Sequence, residues 1–389
     1  MKTQAIFEKE KKFIHQAYKR KKVIIDKGTG CYLEDIEGNK FLDMVGGLGS
    51  CSLGHSNPEV IDSLKKQSEK IFNVTNVFYT VPEILLAEKL SKISGLNKVF
   101  FSNTGTEANE AALKLAKKTT GKQKVISTIN GFHGRTMGSL SVTWKEEYKS
   151  YCKPMVPGSY FIPYNDTEAL KESIDKKTAS FIVEPIQGEG GVNIPSPNYL
   201  KEVQEICDDY GCKLIVDEVS TGYGRTGKYF CYQHSKILPD ITTLAKGLAN
   251  GIPIGATITK EGIEFDNKEH GTTFGGNPLS ASAALSTIGY LEKHKLIENA
   301  KEKGEYLITK LESIAQKSAL IDNVRGKGLL LGVEFVNGCS DIVELSQKKG
   351  ILLNTVTNKT IRLMPPISIS KSECDFFLDN FKQILEGLE

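Results

Sequence analysis

Between about Lys98 and Lys260 the chain repeats one alternation, a short apolar run bounded by turn formers and then a stretch with helical spacing. The runs are Val99–Phe101, Val125–Ile129, Phe181–Val183, Leu214–Val216, Ile241–Leu244 and Ala256–Ile258, each too short for a core helix. After the first run, Ala108, Ala111, Ala112, Leu115 and Ala116 fall on one helix face, and Tyr199–Tyr210 reads as a second helix ended by Gly211. Strands alternating with helices predict crossover units and a largely parallel sheet covered on both faces.

From Leu279 the pattern turns helical, with Ala281, Ala284, Leu285, Ile288 and Leu291 on one stripe. A second helical stretch runs past Gly304 to about Ala315, followed by strand-like runs at Gly328–Phe335 and Ile361–Leu363 and a closing helix from Lys371. Strand signals also lie at Val23–Ile25 and Cys31–Asp35. The expected organisation is an α/β chain in three parts. An N-terminal segment (1–50) packs with a smaller unit, 51–278 form a large α/β domain, and 279–389 form a linking helix and a small α+β domain.

Composition narrows the class. A chain of 389 residues suits two or three domains or one elaborated one. No apolar run approaches the roughly 20 residues that cross a bilayer, and Met1–Lys12 lack the apolar core of a secretory signal. A net charge of +3 argues against nucleic acid or an anionic membrane as the main partner. The seven basic residues between Lys9 and Lys22 then read as a solvated face or a basic entrance for anionic substrates. The eight cysteines include no C-x-x-C pair and read as reduced thiols of a cytoplasmic protein. Cys207 and Cys212 lack two further ligands at matching spacing, so no metal is expected.

The candidate chemistry sits where ligands gather in open α/β sheets, at the carboxyl ends of strands. Val183 is followed by Glu184, Val216 by Asp217, Leu244 by Ala245 and Lys246, and Phe101 by Ser102-Asn103-Thr104-Gly105-Thr106. That last loop opens a helix, and Thr104 with Glu107 fits a capping box. Free N–H groups at a helix start with glycine beside them suit a phosphate, although an ordinary capped helix has the same sequence. No G-x-x-x-x-G-K-[ST] occurs. Gly222–Gly227 matches G-x-G-x-x-G, but Lys228–His234 does not start an amphipathic helix, so its glycines serve a tight turn. Lys246, set among apolar and glycine residues, would alone be a surface lysine with a buried stem. With Asp217, the helix-opening loop and Phe132 beside His133-Gly134-Arg135, it becomes part of a set suited to pyridoxal phosphate.

The stretches Ser102–Lys117, Gly131–Thr136, Glu184–Gly191, Leu214–Gly227, Asp240–Gly255 and His270–Pro278 resemble the class III aminotransferases of fold type I. Within that family the pattern is similar to the acetylornithine type, and next to the ornithine type, from Tyr18-Lys19-Arg20 to Arg362-Leu363-Met364-Pro365-Pro366. The resemblance implies that Lys246 carries pyridoxal phosphate covalently and moves a proton between substrate and cofactor carbons. It implies that Asp217 pairs with the pyridine nitrogen, Phe132 stacks on the ring, and Gly105 and Thr106 bind the phosphate. It assigns Thr273 to the phosphate of a second subunit, which implies a homodimer.

It further assigns Arg362 to the α-carboxylate of 2-oxoglutarate, Arg135 to the distal carboxylate, and Glu189 to neutralising Arg362 while the amine donor is bound. Two departures bear on this. Ser220 stands where the family has a glutamine that bonds the cofactor's phenolic oxygen. Leu48 stands at the tyrosine that recognises the free α-amine in the ornithine type, and leucine cannot accept a bond from an ammonium. The expected reaction moves the terminal amino group of N²-acetylornithine to 2-oxoglutarate, in arginine biosynthesis. Ornithine, 4-aminobutyrate, succinylornithine or an N-succinyl-diaminopimelate precursor are alternative donors, and racemases, aminomutases and a non-catalytic binding protein are rivals on the same fold.

Overall fold

The computed structural model describes residues 3–389. Strands β1 (Ile25–Thr29), β2 (Tyr32–Asp35) and β3 (Lys40–Asp43) form an antiparallel meander. Strands β4 (Lys98–Ser102), β5 (Lys124–Thr128), β6 (Ser159–Ile162), β7 (Thr178–Val183), β8 (Lys213–Asp217), β9 (Ile241–Leu244) and β10 (Gly255–Thr259) form a seven-stranded sheet in the order β4-β10-β9-β8-β7-β5-β6. Strands β11 (Ile321–Lys327) and β12 (Leu330–Phe335) precede β13 (Ile351–Leu352), β14 (Asn354–Thr355) and β15 (Thr360–Leu363). The third sheet runs β11-β12-β15-β14, while β13 leaves it and pairs parallel with β3.

Each of the six predicted apolar runs forms the body of a strand in the large sheet. Every residue of β7, β9 and β10 is buried, as a sheet covered on both faces requires. The parallel arrangement is broken once, because β10 runs antiparallel to both β4 and β9. The connection over 245–254 holds only a 3₁₀ turn, Lys246–Ala249, and a parallel return needs a crossover of a dozen or more residues. The chain therefore doubles back, and the turn that forces it carries the lysine.

Strands β1, β3, β6, β11, β13 and β14 go beyond the predicted runs or shift them. β6 lies at the sheet edge, β11 is mostly half-exposed or exposed and carries Asp322, Asn323 and Arg325, and β1 starts only at Ile25. The helix Gly105–Thr120 buries Ala108, Ala111, Ala112, Leu115 and Ala116 as its spacing predicts, and Asn109 with them. The stretch after Leu279 is two helices, Pro278–Lys293 and Leu296–Ala315, broken at Lys295, whose φ is 50°. The helix Thr3–Phe13 buries none of its residues. Among the described residues no helix is long and apolar enough to cross a membrane.

Because β10 is antiparallel to both neighbours, β4 points the same way as β5, β7, β8 and β9. Their carboxyl ends share one rim. Ser102, Thr128, Glu184, Asp217 and Lys246 all leave the sheet there.

Candidate active site

Lys246 follows β9 with φ 46°, in the left-handed region. A non-glycine residue held there costs about 1–2 kcal/mol, so the surrounding fold fixes this lysine in place at some expense. Its Nζ donates to Ser220 Oγ at 2.6 Å. Burial, and then the charge of Arg362, lower its ammonium below the ordinary lysine value, against the opposing pull of Glu189, Glu184 and Asp217. A lysine shifted in that direction offers a free amine more often, as a nucleophile requires.

Asp217 ends β8 and is 3% exposed. Its Oδ2 accepts from Asn109 Nδ2 and from His133 Nδ1, both at 2.8 Å, and its Oδ1 accepts from the Val219 N–H at 3.0 Å. Asn109 is held in turn, donating to the His133 carbonyl at 2.7 Å and accepting from Thr243 Oγ1 at 2.7 Å. Through these bonds His133 and Asn109 fix the carboxylate, and they act as positioning residues although both also line the cavity. The sequence carried a signal for Asn109, an amide on an otherwise alanine-lined helix face.

The helix Gly105–Thr120 starts against this group. Thr104 Oγ1 accepts from the Glu107 N–H at 3.3 Å, as the capping pattern predicts. The return bond differs, because the Glu107 carboxylate takes the N–H of Asn103, at 2.9 Å, and not that of Thr104. The first-turn N–H groups of Gly105 and Thr106 stay free of intrahelical partners. A Cβ on Gly105 would lie 2.8 and 2.9 Å from the Val219 methyls, so glycine is what lets the helix start close to the end of β8. Gly105, Thr106, Asn109, Phe132, Arg135, Asp217, Ser220 and Lys246 line one cavity of about 410 Å³. Free N–H groups at a helix start, a carboxylate held by three donors and a strained lysine in one cavity are the donor set pyridoxal phosphate needs, and the cavity fits it.

Arg135 points from the rim with its guanidinium 3.7 Å from the Tyr148 ring centroid and 5.7 Å from that of Phe132. Among the described residues it has no salt bridge. Arg362, in β15, is the opposite case. It is 1% exposed, its Nη1 donates to Glu189 Oε1 at 2.7 Å, and its Nε and Nη2 find no partner. Burial alone would raise the Glu189 carboxyl, but Arg362, Lys246 and Lys145 together hold it below the usual range. A Cβ on Gly188 would lie 3.4 Å from Ser220 Oγ and 3.5 Å from Arg362 Nη1, which puts Arg362 just beyond the serine that Lys246 bonds.

Glu184 is 3% exposed and joins two of these loops, accepting from the Phe132 N–H at 2.9 Å and the Gly188 N–H at 3.1 Å. Burial pushes its carboxyl up to about 7, with Asp217 adding to the rise and His133 opposing it. Four predicted residues lie outside the cavity lining, the Glu189–Arg362 pair beyond Ser220 and two others. Leu48, at φ 57°, is 45% exposed, and from its loop Ser50 lines the cavity instead. Thr273 is exposed, while its neighbour Thr272 accepts from Asn103 Nδ2 at 3.0 Å.

The model of the family "Aminotransferase class-III" matches residues 13–385. The chain is 41% identical over 380 residues to the acetylornithine aminotransferase of Methanosarcina acetivorans, covering 97% of this chain and 96% of that one. It is 42% identical over 388 residues to that of Methanocaldococcus jannaschii, covering 98% of each. The ornithine aminotransferase of Toxoplasma gondii superimposes with a TM-score of 0.97 at 33% identity, covering 100% of this chain and 96% of that one. The acetylornithine aminotransferase of Elizabethkingia anophelis gives 0.89 at 30% identity, covering 100% of both.

Proposed function

Because the chain belongs to the class III aminotransferases and uses pyridoxal phosphate, we propose that it moves the terminal amino group of N²-acetylornithine to 2-oxoglutarate. The products are N-acetylglutamate semialdehyde and glutamate, a step of arginine biosynthesis. When bound, pyridoxal phosphate supplies a carbonyl carbon that exchanges amino groups and a ring that takes up the electron pair left on the substrate carbon. Lys246 would hold it through Nζ, and the same Nζ would serve as the group that moves a proton at the substrate carbon. Asp217 would keep a proton on the cofactor's pyridine nitrogen, Phe132 would cover its ring, and the Gly105 and Thr106 N–H groups would hold its phosphate. Ser220 Oγ, which accepts from Nζ, fixes where the amine points within the cavity.

The observation that carries the reading is the contrast between the two arginines. The donor has one carboxylate, far from its reacting amine, and the acceptor has two. Arg135, free of any counter-charge among the described residues, takes the far carboxylate of either substrate. Arg362 is closed by Glu189 while a CH₂–NH₃⁺ group lies nearby, and opens when the acceptor brings a second carboxylate. A racemase or aminomutase has no use for a cation that must be covered in one half of its cycle. A guanidinium fork suits each carboxylate bidentately.

Glu189→Gln tests the cover. It leaves Arg362 uncompensated in both halves, so kcat/KM for N²-acetylornithine is expected to fall about tenfold or more, on the scale of a lost charge-assisted hydrogen bond. The glutamate half-reaction should fall by less than threefold. Equal losses in both, measured as single half-reactions, would defeat the role.

The exposed loop and helix start from Phe72 to Ile84 support a homodimer. Phe72, Val77, Phe78, Tyr79, Val81 and Ile84 are between 53% and 96% exposed, too large an apolar face for a monomer. Asn76 Nδ2 ties this face to the Thr272 carbonyl at 3.0 Å, beside Thr273, which serves the partner's phosphate in this reading. Residues 51–278 then carry the cofactor, and 1–50 with 279–389 form the smaller unit that brings Arg362. All eight cysteines are free thiols, which suits the cytoplasm.

A spectrum of the loaded protein tests donor and reaction together. The visible band is expected to bleach with N²-acetylornithine, respond little to ornithine or 4-aminobutyrate, and return with 2-oxoglutarate. Bleaching only by another amine would replace the donor. A protein that takes up no pyridoxal phosphate would overturn the enzyme.

A further inference from the structure

Arg135 is poised for a carboxylate, yet no carboxylate, carbonyl or hydroxyl of the described residues holds its guanidinium. What it has is a ring. The guanidinium carbon stands 3.7 Å from the Tyr148 centroid, well inside the range of a cation on an aromatic face. The Phe132 ring is a second neighbour at 5.7 Å, and Phe132 and Tyr148 meet edge to face at 6.2 Å and 89°.

A guanidinium stacked on a ring keeps its five N–H donors in the plane, away from the ring and free for a planar ligand. An ion pair to a protein carboxylate would fix the arginine as firmly but would use up part of its donor edge, as Glu189 does at Nη1 of Arg362. Stacking fixes Arg135 without using up its binding edge.

The ring itself is anchored. Tyr148 ends the 3₁₀ turn Glu146–Tyr148, and the next residue, Lys149, is 6% exposed and donates from Nζ to the Thr143 carbonyl at 2.7 Å. Thr143 Oγ1 accepts from the His133 N–H at 2.9 Å. One run of contacts thus links the Tyr148 turn to the residue bonded to Asp217. Lys145 Nζ also lies 5.3 Å from the Tyr148 centroid, so the ring faces two cations. No partner for the Tyr148 hydroxyl occurs among the described residues, which leaves the ring face as the working part.

We propose that Tyr148 is a specificity-determining positioning residue, whose ring holds Arg135 with its fork open and thereby sets the preference for dicarboxylate oxo acids over monocarboxylate ones. This rests on the reading of Arg135 as the receptor of the distal carboxylate. A monocarboxylate oxo acid such as pyruvate needs only Arg362, so it is the internal control.

Tyr148→Leu keeps bulk and removes the π face. The ratio of kcat/KM for 2-oxoglutarate to that for pyruvate is expected to fall about five- to tenfold, mainly through a higher KM for 2-oxoglutarate. Tyr148→Phe, which keeps the ring, should restore at least half of the ratio. Calorimetric binding of glutarate, compared with butyrate, gives a readout independent of turnover, and the leucine variant should lose glutarate affinity by a similar factor. An unchanged ratio, or equal losses for both oxo acids, overturns the proposal, as does a phenylalanine variant no better than leucine. Arg135→Gln separates the two layers. If it leaves the ratio intact, the receptor reading falls. If it collapses the ratio while Tyr148→Leu does not, only the role of Tyr148 falls.

Discussion

Lys246→Ala should lower the rate of both half-reactions by at least about 10⁴-fold, the upper range for removing one acid–base group, with the lost nucleophile acting in addition. Nothing nearby can replace it. Ser220 Oγ is in reach but has no amine chemistry. The geometry makes the loss specific. Lys246 is held at φ 46° on the turn that sends β10 back along the sheet, so its Nζ is delivered to one place beside the end of β8. Alanine in the same backbone conformation carries similar strain, so unfolding transitions should move little while turnover collapses. The variant should still take up pyridoxal phosphate without a covalent link, because the helix start at Gly105 and the Asp217 carboxylate are untouched. Added small primary amines should restore part of the proton transfer, in proportion to their basicity and inversely to their size. Single-turnover kinetics with N²-acetylornithine measure this, and a variant within tenfold of the parent would sink the assignment.

What could be read from the chain alone divides along physical lines. The strands that bear the site are buried on both faces, so their sequences are short, mostly apolar runs broken only by serine and threonine, and a polar residue was visible within two positions of the end of each. That is why Asp217 and Lys246 stood out. Strands with one wet face or an edge position left no such trace. β11 alternates Asp322, Asn323 and Arg325 with few apolar residues, and β6 is four residues at an open edge. The direction of β10 was also hidden, since an apolar run has no polarity and only the shortness of 245–254 argues for a reversal.

Contacts across the chain were the least legible. Glu189 and Arg362 meet across 173 positions, and no local pattern joins them; the resemblance did. Tyr148 shows the limit from the other side. It is only 13 positions from Arg135, yet a stack between a loop arginine and a 3₁₀ turn has no period to betray it. Asn109 was within reach, because an amide in a row of buried alanines must find a partner or cost stability, and the partner it finds is Asp217.

That partner makes the second large effect. Asp217→Asn should reduce kcat by about 10²–10³-fold, the usual loss when one preorganised electrostatic group is removed from a reacting centre. The carboxylate's two oxygens face donors on every protein side, with Asn109 and His133 on Oδ2 and the Val219 N–H on Oδ1. An amide in this place must point its NH₂ at one set of donors or the other. Turned toward Oδ2 it meets two donors, so it should settle with its nitrogen toward Val219. That leaves the Val219 N–H unpaired at a cost of about 1–3 kcal/mol, and no negative charge remains to hold a proton on the pyridine nitrogen. Removing the proton from the substrate carbon then becomes the slow step. A donor deuterated at its terminal carbon should therefore show a larger isotope effect on kcat in the variant than in the parent. Asn109→Ala, which removes one donor and keeps the charge, should cost about tenfold and leave the isotope effect closer to the parent's. If Asp217→Asn instead loses only cofactor affinity, with kcat recovered at saturating pyridoxal phosphate, Asp217 anchors the ring without promoting proton removal. The network of Asn109 and His133 would then serve binding alone.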